Sequence, residues 1–231
     1  MRSTTPAAAG DPFEFRKCLF VPQALGLHAS TLDEFLRMLS VVDDASIYWH
    51  LHEPYVTRVD VRPSYLGGFA LWIAESLGER LLAERLSALD PVVYSGRLPS
   101  LRQAMCRTVA EHLLDHDGPG TPSRRVPAGE ELAFCTTRIV VLDGLGQAKT
   151  LAELRDGIAH CGSMSAFMHT FDTLGHTRAD RDDFSQWVRF ALDDEELADE
   201  MFRIDPYDHS IEGTRALTLA AIDRRLAQTA S

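Results

Sequence analysis

Two histidines, His50 and His169, occupy matching positions in a sequence that repeats itself, and each lies four residues after a serine, Ser46 or Ser165. Imidazole is the side chain whose ordinary pKa permits proton transfer near neutral pH, and it is also a common metal ligand. Two such rings facing each other across a pseudo-twofold axis could share a metal ion, or divide acid and base roles in one cleft. These four residues are therefore the candidates for chemistry.

The same histidines also fit a structural role. A histidine one turn after a serine, on a short helix with Ile47 and Tyr48, can pack beneath Trp72 and hydrogen-bond to the backbone. Trp72 recurs as Trp187, and both would then be core residues whose indole N–H finds a partner. We favour this interpretation, because buried polar groups with partners are common in folded proteins.

Other motifs for chemistry are incomplete. A phosphate-binding loop requires G-x-x-x-x-G-K-[ST], but Ala148 stands directly before Lys149, and the two glycines before it are only two residues apart. The H-x-[ST] pattern of phosphodiester-cleaving enzymes fails, because His52 and Phe171 occupy the hydroxyl positions. His50 and His52 have no further ligand at metal-binding spacing. We therefore predict neither a cofactor nor a metal ion.

The elements that would position these residues recur at fixed spacing. At an offset of 119 the matching pairs include Thr31 and Thr150, Glu34 and Glu153, and Phe15 and Phe134. At an offset of 115 they include Phe69 and Phe184, Trp72 and Trp187, and Asp90 and Asp205. Such self-similarity is the signature of a duplicated unit. It predicts repeat units at 13–114 and 132–231, a disordered leader at 1–12 and a Gly- and Pro-rich linker at 115–131.

Each repeat unit is predicted to open with a β-strand, at Phe13–Val21 and Phe134–Leu142, because β-branched or alternating apolar residues dominate these stretches. A glycine turn follows each strand, at Leu25-Gly26 in the first copy and Gly144–Gly146 in the second. A helix follows each turn, and the threonine and glutamate of each copy fit a capping box at its start. Ser46 is expected to cap a second, short helix.

The rest of each unit is predicted to be helical. Loops are expected at Glu53–Gly68 and Asp172–Asp183, where the offset between the copies changes. Apolar residues at helical spacing predict two helices after each loop and a final helix at Leu101–Leu114 or Thr214–Leu226. The predicted class is α+β, mostly α. The predicted architecture is a pseudo-twofold tandem repeat in which each unit has one short β-strand followed by four or five helices.

Composition narrows the class of partner. The net charge is −11, and residues 132–231 carry 17 acidic against 10 basic side chains. This balance argues against a nucleic-acid partner, because phosphates are bound by clustered Lys and Arg. The sequence offers no candidate membrane span and no apolar signal core, and its four cysteines form no C-x-x-C pair. We expect an acidic cytoplasmic protein, not bound to membranes, whose partner is a protein or a small molecule.

The acidic run from Asp193 to Glu200 has two interpretations. Leu197 and Met201 keep helical spacing within it, which is typical of a solvated helix face. Alternatively, the mutual repulsion of these carboxylates could be relieved by a basic partner or a bound cation, which would make the second unit the partner surface.

The motifs, taken in order, resemble a known family. The first copy reads FEFRKCLF, LGLHASTLDEF, SIYWH and FALWIAESLGERLLAERL; the second reads FCTTRIVV, LGQAKTLAEL, SAFMH and FSQWVRFALDDEELADEM. This order is similar to prokaryotic domain of unknown function family 5752, present as two tandem copies. The resemblance implies no reaction. The first copy departs from it by having Gly67-Gly68 where the second has Asp182-Asp183.

The sequence thus favours a non-catalytic binding or regulatory module built from a duplicated domain, because no nucleophile, metal or nucleotide site is complete. The alternative is an enzyme or small-molecule-binding protein with a site at the cleft between the two copies, using the paired histidines. Burial of the histidines would favour the module, and a shared open pocket would favour the alternative.

Overall fold

The computed structural model describes residues 10–91, 93–94, 97–116, 124–172 and 181–229. Most of the predicted leader, the centre of the predicted linker and most of the second predicted loop lie outside the described residues. Helices account for 58% of the described residues, and the strands among them are few and antiparallel. The predicted class, α+β and mostly α, is confirmed.

The strands form two small sheets of two strands each in the described part of the chain. They are β1 (Phe13–Glu14), β2 (Lys17–Ala29), β3 (Leu132–Leu142) and β4 (Gln147–Ala148). β1 pairs antiparallel with β4, placing Phe13 opposite Ala148, and β2 pairs with β3. The strand predicted at Phe134–Leu142 is confirmed and begins two residues earlier.

The strand predicted at Phe13–Val21 is divided in two and is longer than expected. It is interrupted at Phe15 and Arg16, and β2 then continues through Leu25 and Gly26, which the sequence predicted to be a turn. Gly26 has a φ of +69°, a left-handed conformation that glycine adopts without a steric penalty. The glycine therefore kinks the strand and does not end it.

The helices after β2 are α1 (Leu32–Val41), α2 (Asp44–Thr57), α3 (Gly67–Glu75), α4 (Arg80–Ser87) and α5 (Leu98–His116). The prediction that Ser46 caps the second helix is wrong. Asp43 caps α2 by accepting a hydrogen bond from the Ser46 N–H at 2.7 Å, so Ser46 lies inside the first turn. An aspartate three residues before a serine competes for the cap position, and its carboxylate is the stronger acceptor.

The loop predicted at Glu53–Gly68 is shorter, at 58–66, because α2 continues through Pro54 to Thr57. Proline in a helix has no N–H to donate to the carbonyl four residues earlier, which is that of His50. The two prolines and the glycine pair of this segment predicted a loop from Glu53 onward, but the turns of α2 on either side of Pro54 remain helical.

The helices after β4 are α6 (Leu151–His160), α7 (Ser163–Phe167), α8 (Asp183–Ala191), α9 (Glu195–Phe202) and α10 (Ile211–Thr229). A π-helical turn at Met168–Asp172 extends α7, and a 3₁₀ turn lies at Pro206–Asp208. The predicted final helices are confirmed by α5 and α10, which extend several residues beyond the predicted ends. None of the described helices is both long enough and apolar enough to cross a membrane.

The predicted capping boxes are present at the starts of α1 and α6. The Thr31 hydroxyl accepts from the Glu34 N–H at 3.2 Å, and the Glu34 carboxylate accepts from the Ser30 N–H at 2.7 Å. The corresponding bonds around Thr150 have the same two lengths. In both boxes the glutamate reaches the residue before the threonine, one position earlier than in the usual motif.

The turns after α3 and α8 share a left-handed residue. Gly78 has a φ of +73° and Asp193 a φ of 56°, the one non-glycine residue with positive φ in the described residues. In both turns the N–H of the next residue donates to the carbonyl six residues before it, at 3.0 and 3.3 Å. In both turns the left-handed residue lies just after the end of the helix, where this conformation is common.

The chain divides into two compact units. The amino-terminal unit comprises Phe20–Thr57 and Pro63–Arg138. The carboxyl-terminal unit comprises the chain from Ile139 onward, Arg58–Arg62 and the described residues before Phe20. The boundary therefore falls inside both β2 and β3. The first unit is built around Phe35, Phe69, Trp72, Ile73, Leu82 and Phe134, and the second around Phe13, Phe15, Leu154, Ile158, Phe184 and Trp187.

Candidate functional site

His169 is fully buried in the carboxyl-terminal unit, and both of its ring nitrogens are occupied. Nδ1 lies 2.8 Å from Oδ2 of Asp183, and Nε2 lies 3.0 Å from the backbone nitrogen of Arg16. A backbone N–H can only donate, so Nε2 must be the acceptor and Nδ1 carries the proton that Asp183 accepts. His169 therefore has no free nitrogen with which to bind a metal or abstract a proton.

The groups around His169 form a connected polar network. The Arg16 guanidinium lies 3.2 Å from the Asp183 carboxylate, and the Ser165 hydroxyl donates to the Arg16 carbonyl oxygen at 2.5 Å. The ring of Phe13 lies 4.9 Å from the imidazole. Each polar member thus has a partner inside the unit, which is how a buried network stabilises one conformation. Ser165 is committed to the backbone and is not aligned as a nucleophile.

His50 is buried in the amino-terminal unit and is held in a similar way. Its Nε2 accepts from the Cys135 N–H at 3.1 Å, and its ring stacks on Phe69 at 4.4 Å. Burial lowers the pKa of His50 from 6.5 to about 4, because the apolar surroundings penalise the charged form. The ring is therefore neutral at physiological pH and serves as a hydrogen-bond acceptor.

The two histidines differ at Nδ1, because Gly68 occupies the position that corresponds to Asp183. A Cβ added at Gly68 would lie 3.7 Å from Nδ1 of His50 and 3.3 Å from its carbonyl oxygen. A Cβ at Gly67 would lie only 3.0 Å from the same oxygen. Pro54 has no N–H, so the His50 carbonyl lacks its helical donor. The backbone at Gly67-Gly68 approaches this carbonyl closely. The close approach explains why small residues stand here and not an acidic pair such as Asp182-Asp183.

The serines do not complete a catalytic arrangement among the described residues. Ser46 is fully buried, and its hydroxyl has no hydrogen-bond partner in that part of the chain. The four candidates are therefore divided between the units: His50 and Ser46 belong to one, and His169 and Ser165 to the other.

A small cavity lies beside His50 in the amino-terminal unit. Its volume of about 10 Å³ suits one water molecule. The lining residues are Ile47, His50, Leu51, Leu66, Gly67, Phe69, Leu101 and Met105. The cavity is too small for a substrate, and one imidazole is its only ionisable group. In the described residues no three His, Cys, Asp or Glu side chains are grouped to hold a metal ion.

Both recurring tryptophans are core residues with a satisfied N–H, as the structural interpretation predicted. Trp72 is 8% exposed and donates to the Glu130 carbonyl at 2.8 Å. Trp187 is 3% exposed and donates to the Asp11 carbonyl at 2.8 Å. In each case the acceptor lies four residues before a phenylalanine, Phe134 or Phe15, that packs in the same core.

The acidic run from Asp193 to Glu200 lies largely on α9, and its Leu197 and Met201 are buried, as a solvated helix face requires. Most of its carboxylates pair with arginines of the same unit. The pairs are Asp194 with Arg225, Glu195 with Arg189, Glu196 with Arg225, Asp199 with Arg181 and Glu200 with Arg224. These ion pairs offset part of the repulsion among the acids and favour the solvated helix face, whereas a basic partner or bound cation at this surface stays a prediction. Asp193 itself occupies the left-handed turn position.

Sequence reasoning missed three parts of the arrangement around the histidines. Asp183 could have been found from the sequence, because glycine stands at the matching position, Gly68. No sequence pattern marks the donors at Arg16 and Cys135, because every residue except proline has a backbone N–H. These donors lie 153 and 85 positions from their histidines, and no local pattern encodes such a pairing.

A model of the Family of unknown function (DUF5752) matches residues 10–223. The chain belongs to this family. The match is a single one that runs through the predicted linker, so the family unit spans both of the segments interpreted as copies. The family is therefore confirmed, whereas its presence as two tandem copies is not.

The fold is also similar to a solved structure, that of OrfY from Thermoproteus tenax. The two chains are 21% identical, with a TM-score of 0.75, and the similarity covers 94% of this chain and 97% of that chain. At this identity the likeness concerns the fold alone. No curated protein matches the sequence at a significant level.

Proposed function

We propose that this protein is a non-catalytic binding or regulatory module built from a duplicated unit. The observation that carries the proposal is the state of the two histidines. Each is buried, and the Nε2 of each accepts a backbone N–H, so neither ring can present that nitrogen to a substrate. The groups best suited to chemistry are thus used to hold strands in place.

The duplication is supported by matched contacts that sequence alignment alone does not contain. His50 to Cys135 and His169 to Arg16 are equivalent bonds at an offset of 119. The two capping boxes match at the same offset, and the two tryptophan bonds join tryptophans that are 115 positions apart to acceptors that are 119 apart. The left-handed turns match at the second offset, 115. Shared geometry at this many independent places is expected if one unit was copied.

We infer from the matched contacts that the copies have exchanged their opening strands. Phe13 and Phe15 open the first copy in sequence but are buried in the core of the second. Phe134 opens the second copy and is buried in the core of the first. Each histidine binds the strand that arrives from the other copy, so the histidine pair secures the exchange.

The partner we infer is a protein or a small molecule. The net charge of −11 disfavours nucleic acid, and the free thiols fit a cytoplasmic location. An enzymatic role for the histidines and serines would need a substrate-sized cavity beside them, whereas the space beside His50 holds about one water molecule.

The experiment that tests the proposal is co-purification of tagged protein with its ligands, identified by mass spectrometry, followed by binding measurements. Variants His50→Gln and His169→Gln retain a side chain that can accept an N–H. We expect both to bind the identified partner or small molecule with unchanged affinity as long as they are folded. Loss of the ligand, or of a turnover reaction, at an unchanged melting temperature would instead make the histidines functional.

A further inference from the structure

Residues Asp11–Cys18, which we call the donor segment, lie in a groove of the carboxyl-terminal unit, which we call the strand slot. The strand slot is lined by Gly146, Ala148, Ser165, His169, Asp183 and Trp187. Most of the polar contacts involve the backbone of the donor segment. Its N–H groups donate to a slot carbonyl at 2.9 Å and to the imidazole at 3.0 Å. Its carbonyls accept from the serine hydroxyl at 2.5 Å and the indole N–H at 2.8 Å.

Side chains add specificity to these backbone bonds. Phe13 and Phe15 are each 5% exposed and lie two positions apart, so alternate residues of the segment enter the core. Gly157 forms part of the pocket for the second ring, since a Cβ added there would lie 2.1 Å from Cζ of Phe15. Arg16 follows, 3.2 Å from Asp183. The slot thus selects an extended F-x-F-R sequence.

None of these contacts depends on the segment belonging to the same chain. The hydrogen-bonded partners of the donor segment are 130 to 176 positions away in the sequence. The connection to the rest of the chain runs through β2, an extended strand. Each chain has one donor segment and one strand slot, so two chains can exchange segments reciprocally and leave no slot empty.

We propose that the strand slot is an interaction site for a second copy of this chain, which supplies its own donor segment. At low concentration the attached segment has the higher effective concentration and fills the slot of its own chain. At high concentration, or when the attached segment cannot bind, the segment of another chain replaces it. This exchange rests on the contacts of the donor segment and does not require the proposed function.

The test mixes two full-length variants that are defective in opposite ways. Phe13→Ala/Phe15→Ala has a slot but no competent segment. Gly157→Leu has a competent segment, but its slot is filled by the new side chain. Size-exclusion chromatography with light scattering should give a 1:1 complex of twice the monomer mass for the mixture, and monomers for each variant alone. As a matched control, Leu19→Ala/Val21→Ala alters exposed residues next to the segment and should give no complex with Gly157→Leu.

Two further measurements keep the test decisive. If the carboxyl-terminal unit of Phe13→Ala/Phe15→Ala is unfolded alone, adding Gly157→Leu should restore its helical circular dichroism signal. A synthetic peptide of residues 10–19 should bind Phe13→Ala/Phe15→Ala more than about 100-fold more tightly than the same peptide with both phenylalanines replaced by alanine. A mixture that stays monomeric and gains no helix overturns the proposal. Binding of the peptide without binding of the second chain also overturns it, since the slot would then be closed to another copy.

Discussion

A neutral imidazole offers one donor and one acceptor, and in His169 both are used inside the protein. In His50 only the acceptor bond is shared with its counterpart, because glycine stands where the carboxylate would be. The buried histidines are thus two versions of one structural device, a ring that anchors a strand backbone. Their spacing also suits catalysis, and only the burial and the backbone partners decide between the two roles.

Removing either ring should destabilise the protein and leave the overall fold intact. His50→Ala and His169→Ala each remove the acceptor of a backbone N–H inside the protein. We expect each variant to lose roughly 1–3 kcal/mol in the free energy of unfolding. His169→Ala should cost more, since it also deprives Asp183 of a donor. Urea unfolding measures the change. His28→Ala, at an exposed position, is the control and should change stability by less than about 0.5 kcal/mol. An unchanged midpoint in both buried variants would contradict the structural role.

The lowered pKa of His50 predicts a pH dependence of stability with a definite sign. Its value is about 4 in the folded protein and 6.5 in the unfolded chain, so the unfolded chain binds the extra proton between these values. Stability should therefore fall as the pH is lowered from 6.5 to about 4, by roughly 3 kcal/mol over the full window. Unfolding titrations of wild type and His50→Gln across this range isolate the contribution. Parallel curves for the two proteins would show that His50 is not responsible.

At the scale of the element, the turns after α3 and α8 differ in their left-handed residue. The turn after α3 has Gly78, whereas the turn after α8 has Asp193, where a Cβ is unfavourable at a φ of 56°. Asp193→Gly should raise the free energy of unfolding by about 0.5–1 kcal/mol. Asp193→Ala removes the same charge without relieving the backbone and should not stabilise. If both substitutions stabilise equally in thermal and urea unfolding, charge and not conformation is the cause.

The helices could be read from the sequence, because apolar residues at helical spacing and the Thr–Glu boxes are local signals. The strand boundaries could not. Gly26 predicts a turn locally, yet pairing of β2 with β3 carries the strand through it. Ser46 failed as a cap for a similar reason, since Asp43 offers a stronger acceptor one turn earlier. Local propensity was overridden wherever a competing partner was available.

The candidate site, like the fold, was predictable only in part from the sequence. The recurrence of His50 and His169 pointed to two residues that are buried and hydrogen-bonded to backbone, and the difference between Gly68 and Asp183 marked the position where their surroundings diverge. The strand partners could not be predicted, because each histidine binds a backbone N–H, which leaves no mark in the sequence.

At the scale of the whole molecule, each half of the sequence depends on residues of the other half to complete a core. A fragment of residues 1–120 lacks the Cys135 N–H that binds His50 and the Glu130 carbonyl that binds Trp72. It should dimerise or aggregate in light-scattering measurements, because the core of the amino-terminal unit is left open. Residues 20–138 contain every residue of that unit and should be a folded monomer. A well-behaved folded monomer of 1–120 would show that the halves do not depend on exchanged strands.

Each buried histidine anchors a backbone N–H from the other half of the sequence, that of Cys135 for His50 and that of Arg16 for His169. NMR detection of scalar coupling across hydrogen bonds tests it most directly, since an N–H···N bond couples the ring nitrogen to the amide nitrogen that donates to it. We expect Nε2 of His169 to couple to the amide of Arg16, and Nε2 of His50 to the amide of Cys135. Coupling of either ring to an amide of its own half, or rings that are protonated at Nε2 and show no coupling, would contradict the account.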